Sequence, residues 1–301
     1  MSITRKLAGT VAGLAAIALL AGCAGGNAGD AADDKGSEAN PVKIGVVGAS
    51  DPQWTSFTEA AKAEDISIEI VDFAQYEQPN PALTAGEIDL NQFQHIVYLG
   101  EYNQSAGEDL TPIGATAIYP LGLYSTQYDS VDAIPEGSTV AVSSDPSNQA
   151  RGLLVLQSAG LIELTGGGSI FSGLDEVDTA ASKVKVTELE PSLTATSLPD
   201  VAAAVINNDF ITDAGLSADD AIAQDDPSDP NALPYVNVFA AKAEDKDNET
   251  YLKLVQIFQD STAVQDDLVE TSGGTAVLLK TPVADLEESL ATVQADIAES
   301  E

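Results

Sequence analysis

Two side-chain types in this 301-residue chain are rare enough to invite a chemical reading: its arginines are Arg5 and Arg151, and its one histidine is His95. Arginine suits planar, two-pronged recognition of a carboxylate in a way lysine cannot, so a chain this poor in arginine retains one most readily where that geometry matters. The alternative for Arg151 is pairing with one of the many carboxylates on a solvated helix face. Its setting favours an anion site. In Asp145-Pro146-Ser147-Asn148-Gln149-Ala150-Arg151 it lies one to two turns into a helix that starts at a strand end, where free N–H groups and the dipole attract negative charge. His95, in Asn91-Gln92-Phe93-Gln94-His95, has no Gly-x-Ser-x-Gly elbow to work with, and a lone histidine is more often packed than catalytic.

The remaining inventory excludes more than it suggests. With 48 acidic against 12 basic side chains the formal net charge is −36, which rules against a nucleic-acid partner. One cysteine and one histidine preclude an internal disulfide and the common His-rich or Cys-rich metal centres, so no metal or cofactor is expected. There is no P-loop and no EF-hand loop, and carboxylate pairs are too common here to mark a glycosidase. The chemistry available is that of binding, not turnover.

The single cysteine has its own reading. Arg5 and Lys6, an apolar run from Leu7, and then Leu20-Ala21-Gly22-Cys23 have the layout of a secretory signal ending in a lipobox. Residues 1–22 are expected to be a cleaved lipoprotein signal peptide, with Cys23 acylated and residues 23–41 a flexible tether to the outer face of the cell membrane. Loss of Arg5 and Lys6 leaves ten basic groups against 48 acidic, a mature net charge of −38.

From Val42 onward short β-branched runs alternate with helical stretches. Strands are predicted at 42–48, 66–73, 111–125, 138–145, 183–190, 201–207 and 235–242, and helices at 53–63, 81–86, 146–159 and 248–269. Helix 146–159 is well punctuated, with Asp145 as N-cap, Pro146 in first position and Gly160 just past its end. The acidic stretch 225–234 reads as a connecting loop, and the Leu/Val spacing after Gly274 as an acidic amphipathic helix. Alternation of this kind argues for α/β architecture with largely parallel sheets. An exported α/β body on a lipid anchor suits capture of a solute for a transporter.

Several ordered strings carry a family resemblance: DFAQYEQPNPAL (72–83), LNQFQHIVYL (90–99), YPLGLYS (119–125), VAVSSDPSNQARGLLVLQSAGLI (140–162), AAVINNDF (203–210) and PYVNVF (234–239). From about Val42 to about Gly274 the chain resembles the methionine-binding lipoproteins of the MetQ/NlpA type, the solute receptors of ABC methionine importers. The resemblance implies a two-lobed periplasmic-binding-protein type II fold, two α/β lobes joined by two crossing strands. Lobe 1 would take residues 42–122 and 235–301, and lobe 2 residues 123–234.

It further implies that Arg151 grips a ligand carboxylate, that Asn207 and Asn237 bond the amino acid backbone groups, and that Tyr76, Phe93 and His95 wall the thioether, with Tyr119 and Asn148 as neighbours. The expected protein is a monomeric, non-enzymatic receptor for methionine in either enantiomer, working with an ABC permease and ATPase. A receptor for another apolar amino acid or a methionine-containing dipeptide, and a surface lipoprotein without a transport role, are the alternatives. The chain departs from the family pattern at Gln53-Trp54, where relatives tend to have proline-histidine, in the segment 190–201, and in its longer ending after Gly274.

Overall fold

A computed structural model describes residues 35–300. The signal peptide, Cys23 and most of the expected tether lie outside the described residues. Its last part does not: Lys35 pairs with Asp89 at 2.7 Å, and Ser37 bridges Asn40, so residues 35–41 form a turn against the body.

In chain order the first elements are β1 (Val42–Val47), α1 (Pro52–Ala63), β2 (Ile68–Phe73), α2 (Pro79–Thr84), β3 (Leu90–His95), α3 (Ile96–Ala106), β4 (Thr111–Ala115) and β5 (Ala117–Ile118). A second group follows: β6 (Gly122–Tyr124), β7 (Thr139–Ser143), α4 (Pro146–Ser158), β8 (Lys185–Leu189), α5 (Pro191–Thr194), β9 (Ala203–Ile206) and β10 (Ala223–Gln224). The chain then returns through β11 (Asn237–Ala241), α6 (Glu249–Asp260), α7 (Thr262–Thr271), β12 (Val277–Leu278) and α8 (Val283–Ser300).

These elements make a two-lobed mixed α/β structure. The first sheet has the order β2-β1-β3-β11-β4 and the second β10-β6-β9-β7-β8, with β12 and β5 a small separate ladder. Each sheet has a parallel part, β2-β1-β3 and β8-β7-β9, as the alternating pattern predicts. Each also has an antiparallel part, because β11 runs against both β3 and β4, and β6 against both β9 and β10. The sheets are therefore mixed, which corrects the expectation of largely parallel ones. The long apolar run 111–125 is cut into β4, β5 and β6 as the chain leaves the first sheet for the second.

Alternation along β11 shows how the first sheet is covered on both faces. Phe239 and Ala241 join the apolar cluster containing Phe57, Leu254 and Phe258 from α1 and α6, while Val238 and Ala240 join the cluster of α3 and α8 on the opposite face. Phe57, Phe239 and Phe258 are fully buried, and Phe258 meets each of the other two edge-on at 5.2 Å between ring centres. Burial of this kind is worth about 1.5–3 kcal/mol per side chain. The predicted helix 248–269 is two helices: Ser261 takes extended backbone, φ −75° and ψ 112°, and caps α7 by accepting the Val264 N–H. The stretch 225–234, expected as loop, ends in a 3-10 helix over Pro230–Tyr235.

Strand β3 and helix α3 escaped the sequence reading. Asn91, Gln92 and Gln94 give β3 a polar, weakly β-forming composition. The amides of Asn80, Asn91 and Gln94 satisfy one another at 2.7–2.8 Å inside the protein, so polar side chains occupy a fully buried strand without an unpaired amide.

Candidate functional site

The parallel strands of both sheets end toward one interlobe space, the usual location of ligand sites in α/β proteins. His95 is the last residue of β3, Asn207 follows β9, and α4 starts beyond β7. A narrow cavity there is lined by every residue named above for the ligand: Tyr76, Phe93, His95, Tyr119, Asn148, Arg151, Asn207 and Asn237. Tyr98, Gln94 and Asn208 complete its wall.

Helix α4 aims the polar groups. Asp145 is its N-cap, with Oδ1 accepting the Asn148 N–H at 2.7 Å and the Ser147 hydroxyl at 2.9 Å. The same oxygen accepts from Asn148 Nδ2 at 3.1 Å, which turns Asn148 Oδ1 toward the cleft. There it accepts from Asn207 Nδ2 at 2.7 Å and meets His95 Nε2 at 3.4 Å, joining the first lobe to the second. Asn237 opens β11 opposite His95 in register, and its carbonyl accepts from the Thr116 N–H at 2.9 Å.

His95 is also the N-cap of α3, with Nδ1 accepting the Tyr98 N–H at 3.2 Å. An accepting Nδ1 leaves the proton on Nε2, facing Asn148. Burial first, and then the Arg151 cation, hold the ring's pKa down to about 3 against the opposing Asn148 bond, so the imidazole is neutral. It contributes an N–H and an apolar face, not a charge.

Arg151 is 6 % exposed. Nε donates to Asp225 Oδ2 at 2.6 Å, Nη2 donates to the Tyr119 carbonyl at 2.8 Å, and the guanidinium lies 4.4 Å from the ring centre of Tyr235. The arginine therefore has a carboxylate partner within the protein and also lines the cavity. Nη1 makes no hydrogen bond to a described residue and remains available to a ligand oxygen.

The aromatic side of the cavity is a connected set of rings. Tyr76 and Phe93 are 5.9 Å apart, Phe93 and Tyr98 5.6 Å, and Tyr76 and Phe210 5.1 Å. The Tyr76 hydroxyl crosses to the second lobe and donates to Asp209 Oδ2 at 2.7 Å. Burial, with Asp51 nearby, pushes the Asp209 carboxyl up to about 7 despite the bonds from Tyr76 and Asn208. Burial likewise raises the phenols of Tyr98 and Tyr119, which stay protonated.

A second chamber shares Phe93, Tyr119, Asn208 and Asn237 with the first and extends to Asp51, Trp54 and Asp209. Trp54 is 4 % exposed and its indole N–H has no hydrogen-bond partner among the described residues. Among the described residues no group of three or more His, Cys, Asp or Glu could hold a metal ion, and no helix is long and apolar enough to cross a membrane.

Sequence reasoning missed Tyr98, Asp225 and Tyr235. Tyr98 carried a usable signal, three residues after His95 on the face of a helix that His95 itself caps. Asp225 is one of many acidic residues in a stretch read as loop, and nothing in its local sequence marks it.

The model of the NlpA lipoprotein family matches residues 42–278. The chain is 36% identical over 265 residues to the D-methionine-binding lipoprotein MetQ of Salmonella typhi, covering 86% of this chain and 93% of that protein. It also superimposes on the substrate-binding protein of a methionine transporter from Streptococcus pneumoniae, with a TM-score of 0.74 and 33% identity over 79% of this chain and 95% of the other. A nutrient-binding protein from Burkholderia cenocepacia, solved bound to methionine, gives a TM-score of 0.72 and 33% identity over 79% of this chain and 99% of its own.

Proposed function

The chain belongs to the NlpA lipoprotein family, and from that premise we propose that it is a lipid-anchored, extracytoplasmic receptor that captures methionine, L or D, for an ABC importer. Cys23 carries the anchor, an ABC permease and ATPase receive the ligand, the receptor is a monomer, and no chemistry is done on the ligand. Lobe 1 comprises residues 42–122 and 235–301, and lobe 2 residues 123–234.

The observation that carries this reading is the convergence of one guanidinium, four asparagines and an aromatic wall on one interlobe cavity. A free amino acid is a zwitterion. Arg151 takes the carboxylate, while the amide oxygens of Asn207 and Asn237 take the ammonium. The rings of Tyr76, Phe93 and Tyr98 suit a polarizable thioether, each sulfur–aromatic contact adding about 0.3–1.5 kcal/mol. Neutral His95 leaves Arg151 as the sole cation on the wall, so one negative group is selected. Phe93 and His95 come from the first lobe and Arg151 and Asn207 from the second, so a ligand that touches both stabilises the closed arrangement, the differential binding that a transporter can detect.

Calorimetry on ligand-stripped protein tests this directly. Arg151→Ala is expected to lose about tenfold or more in methionine affinity, because the ligand carboxylate is left without its charged partner. Unchanged affinity in that variant, or no methionine binding by the unaltered protein, overturns the proposal.

A further inference from the structure

Tyr235 is buried, 7 % exposed, yet its hydroxyl has no hydrogen-bond partner among the described residues. A buried, unpaired hydroxyl is a cost. What the residue supplies is its ring, which carries the Arg151 guanidinium on one face at 4.4 Å and meets His95 edge-on at 5.4 Å and 85°. Tyr235 does not itself line the ligand cavity. It ends the 3-10 helix Pro230–Tyr235, on the segment that returns the chain from the second sheet to the first.

Leu286, Leu290, Val293 and Ile297, at helical spacing, are buried in the same apolar cluster as Tyr235, and α8 packs both along α3 and against the Pro230–Tyr235 segment. Residues 283–300 lie beyond the family match, which ends at residue 278. A helix beyond the family match thus shares one apolar cluster with the ring that lies against the arginine assigned to the ligand.

We infer that Tyr235 is a positioning residue for Arg151, and that α8 is the support that fixes it, so this C-terminal helix sets how firmly the carboxylate is held. Three contacts fix the guanidinium: Asp225 and the Tyr119 carbonyl in its plane, and Tyr235 against its face. The in-plane bonds leave rotation of the guanidinium plane least restrained on the open face, and the ring closes that face. A guanidinium over an aromatic ring is attracted by the ring's negative face, most strongly where water is excluded. This inference rests on the proposed role of Arg151 for its effect on affinity, but not for its effect on the arginine itself.

The test separates the two. Signal cleavage leaves Arg151 the only arginine, so the mature protein gives a single arginine Nε–H resonance by NMR, readable without ligand. In unaltered protein and in Tyr235→Phe this signal should be shifted by the ring and slow to exchange with solvent. In Tyr235→Leu the shift should be lost, and Leu286→Ala and Leu290→Ala should move the signal the same way by a smaller amount. Tyr235→Phe should keep methionine affinity, and Tyr235→Leu should lose about tenfold. Combined with Arg151→Ala, Tyr235→Leu should add nothing further. An arginine signal unmoved in Tyr235→Leu overturns the positioning role, as do affinity losses that add in the double variant. A signal unmoved by both α8 variants overturns the role of the helix. Absence of methionine binding with these arginine shifts intact would count against the proposed function alone.

Discussion

His95 does two jobs with one ring: Nδ1 caps α3, and Nε2–H faces Asn148 in the cleft. Being the sole histidine, it gives a single imidazole titration. With a folded pKa of about 3, it should show no midpoint between pH 5 and 8 and keep the Nε2–H tautomer throughout. A midpoint near 6.5 would contradict the burial and cation contact assigned to it. The unfolded ring takes a proton below about pH 6.5 while the folded one refuses it, so this residue's contribution to stability is complete above that value and is lost as pH falls toward 3. Rarity made Arg151 and His95 legible in the sequence. Asp225 and Tyr235 were not, because nothing local marks them and only the fold decides which side chains meet the guanidinium.

Helix α4 was legible almost to the residue, since Asp145, Pro146 and Gly160 are local signals, and Gly160 takes φ +72° just past its end. Strand β3 was illegible because its polar side chains are satisfied by partners distant in sequence, such as Asn80. The contact between α3 and α8 likewise depends on residues far apart in the chain. At Gly100 an added Cβ would lie 2.8 Å from Val293 Cγ1, with a branched side chain that cannot swing away. Alanine favours a helix over glycine by about 1 kcal/mol, but crowding in a packed interface costs about 1–3 kcal/mol and should win. Gly100→Ala is therefore expected to lower the urea midpoint with the denaturant slope unchanged, and Val293→Ala in the same chain should recover part of the loss. Equal or greater stability for Gly100→Ala would show that α8 does not seat on α3 this closely.

Across the whole molecule the net charge of −36 acts through self-repulsion, since few cations are available to answer it. Ion pairs such as Lys246–Glu287 and Lys253–Glu64 are exposed and contribute little. Salt shortens the screening length from about 10 Å at 0.1 M to about 3 Å at 1 M. The melting temperature should rise over that range, while affinity for a zwitterion should change by less than about threefold. A melting temperature that falls with salt would mean that attractive pairs outweigh the repulsion. The α/β class followed from alternating strands and helices, but the mixed sheets did not, because the direction of β11 is set by how the chain returns from the second lobe. Trp54 has one more consequence at this scale. It is the chain's only tryptophan, buried in a chamber whose walls come from both lobes, with an indole N–H that has no hydrogen-bond partner among the described residues. Its emission colour should therefore report whether water reaches the space between Asp51 and Asp209, an intrinsic optical gauge of hydration in that chamber that needs no dye, label or added chromophore.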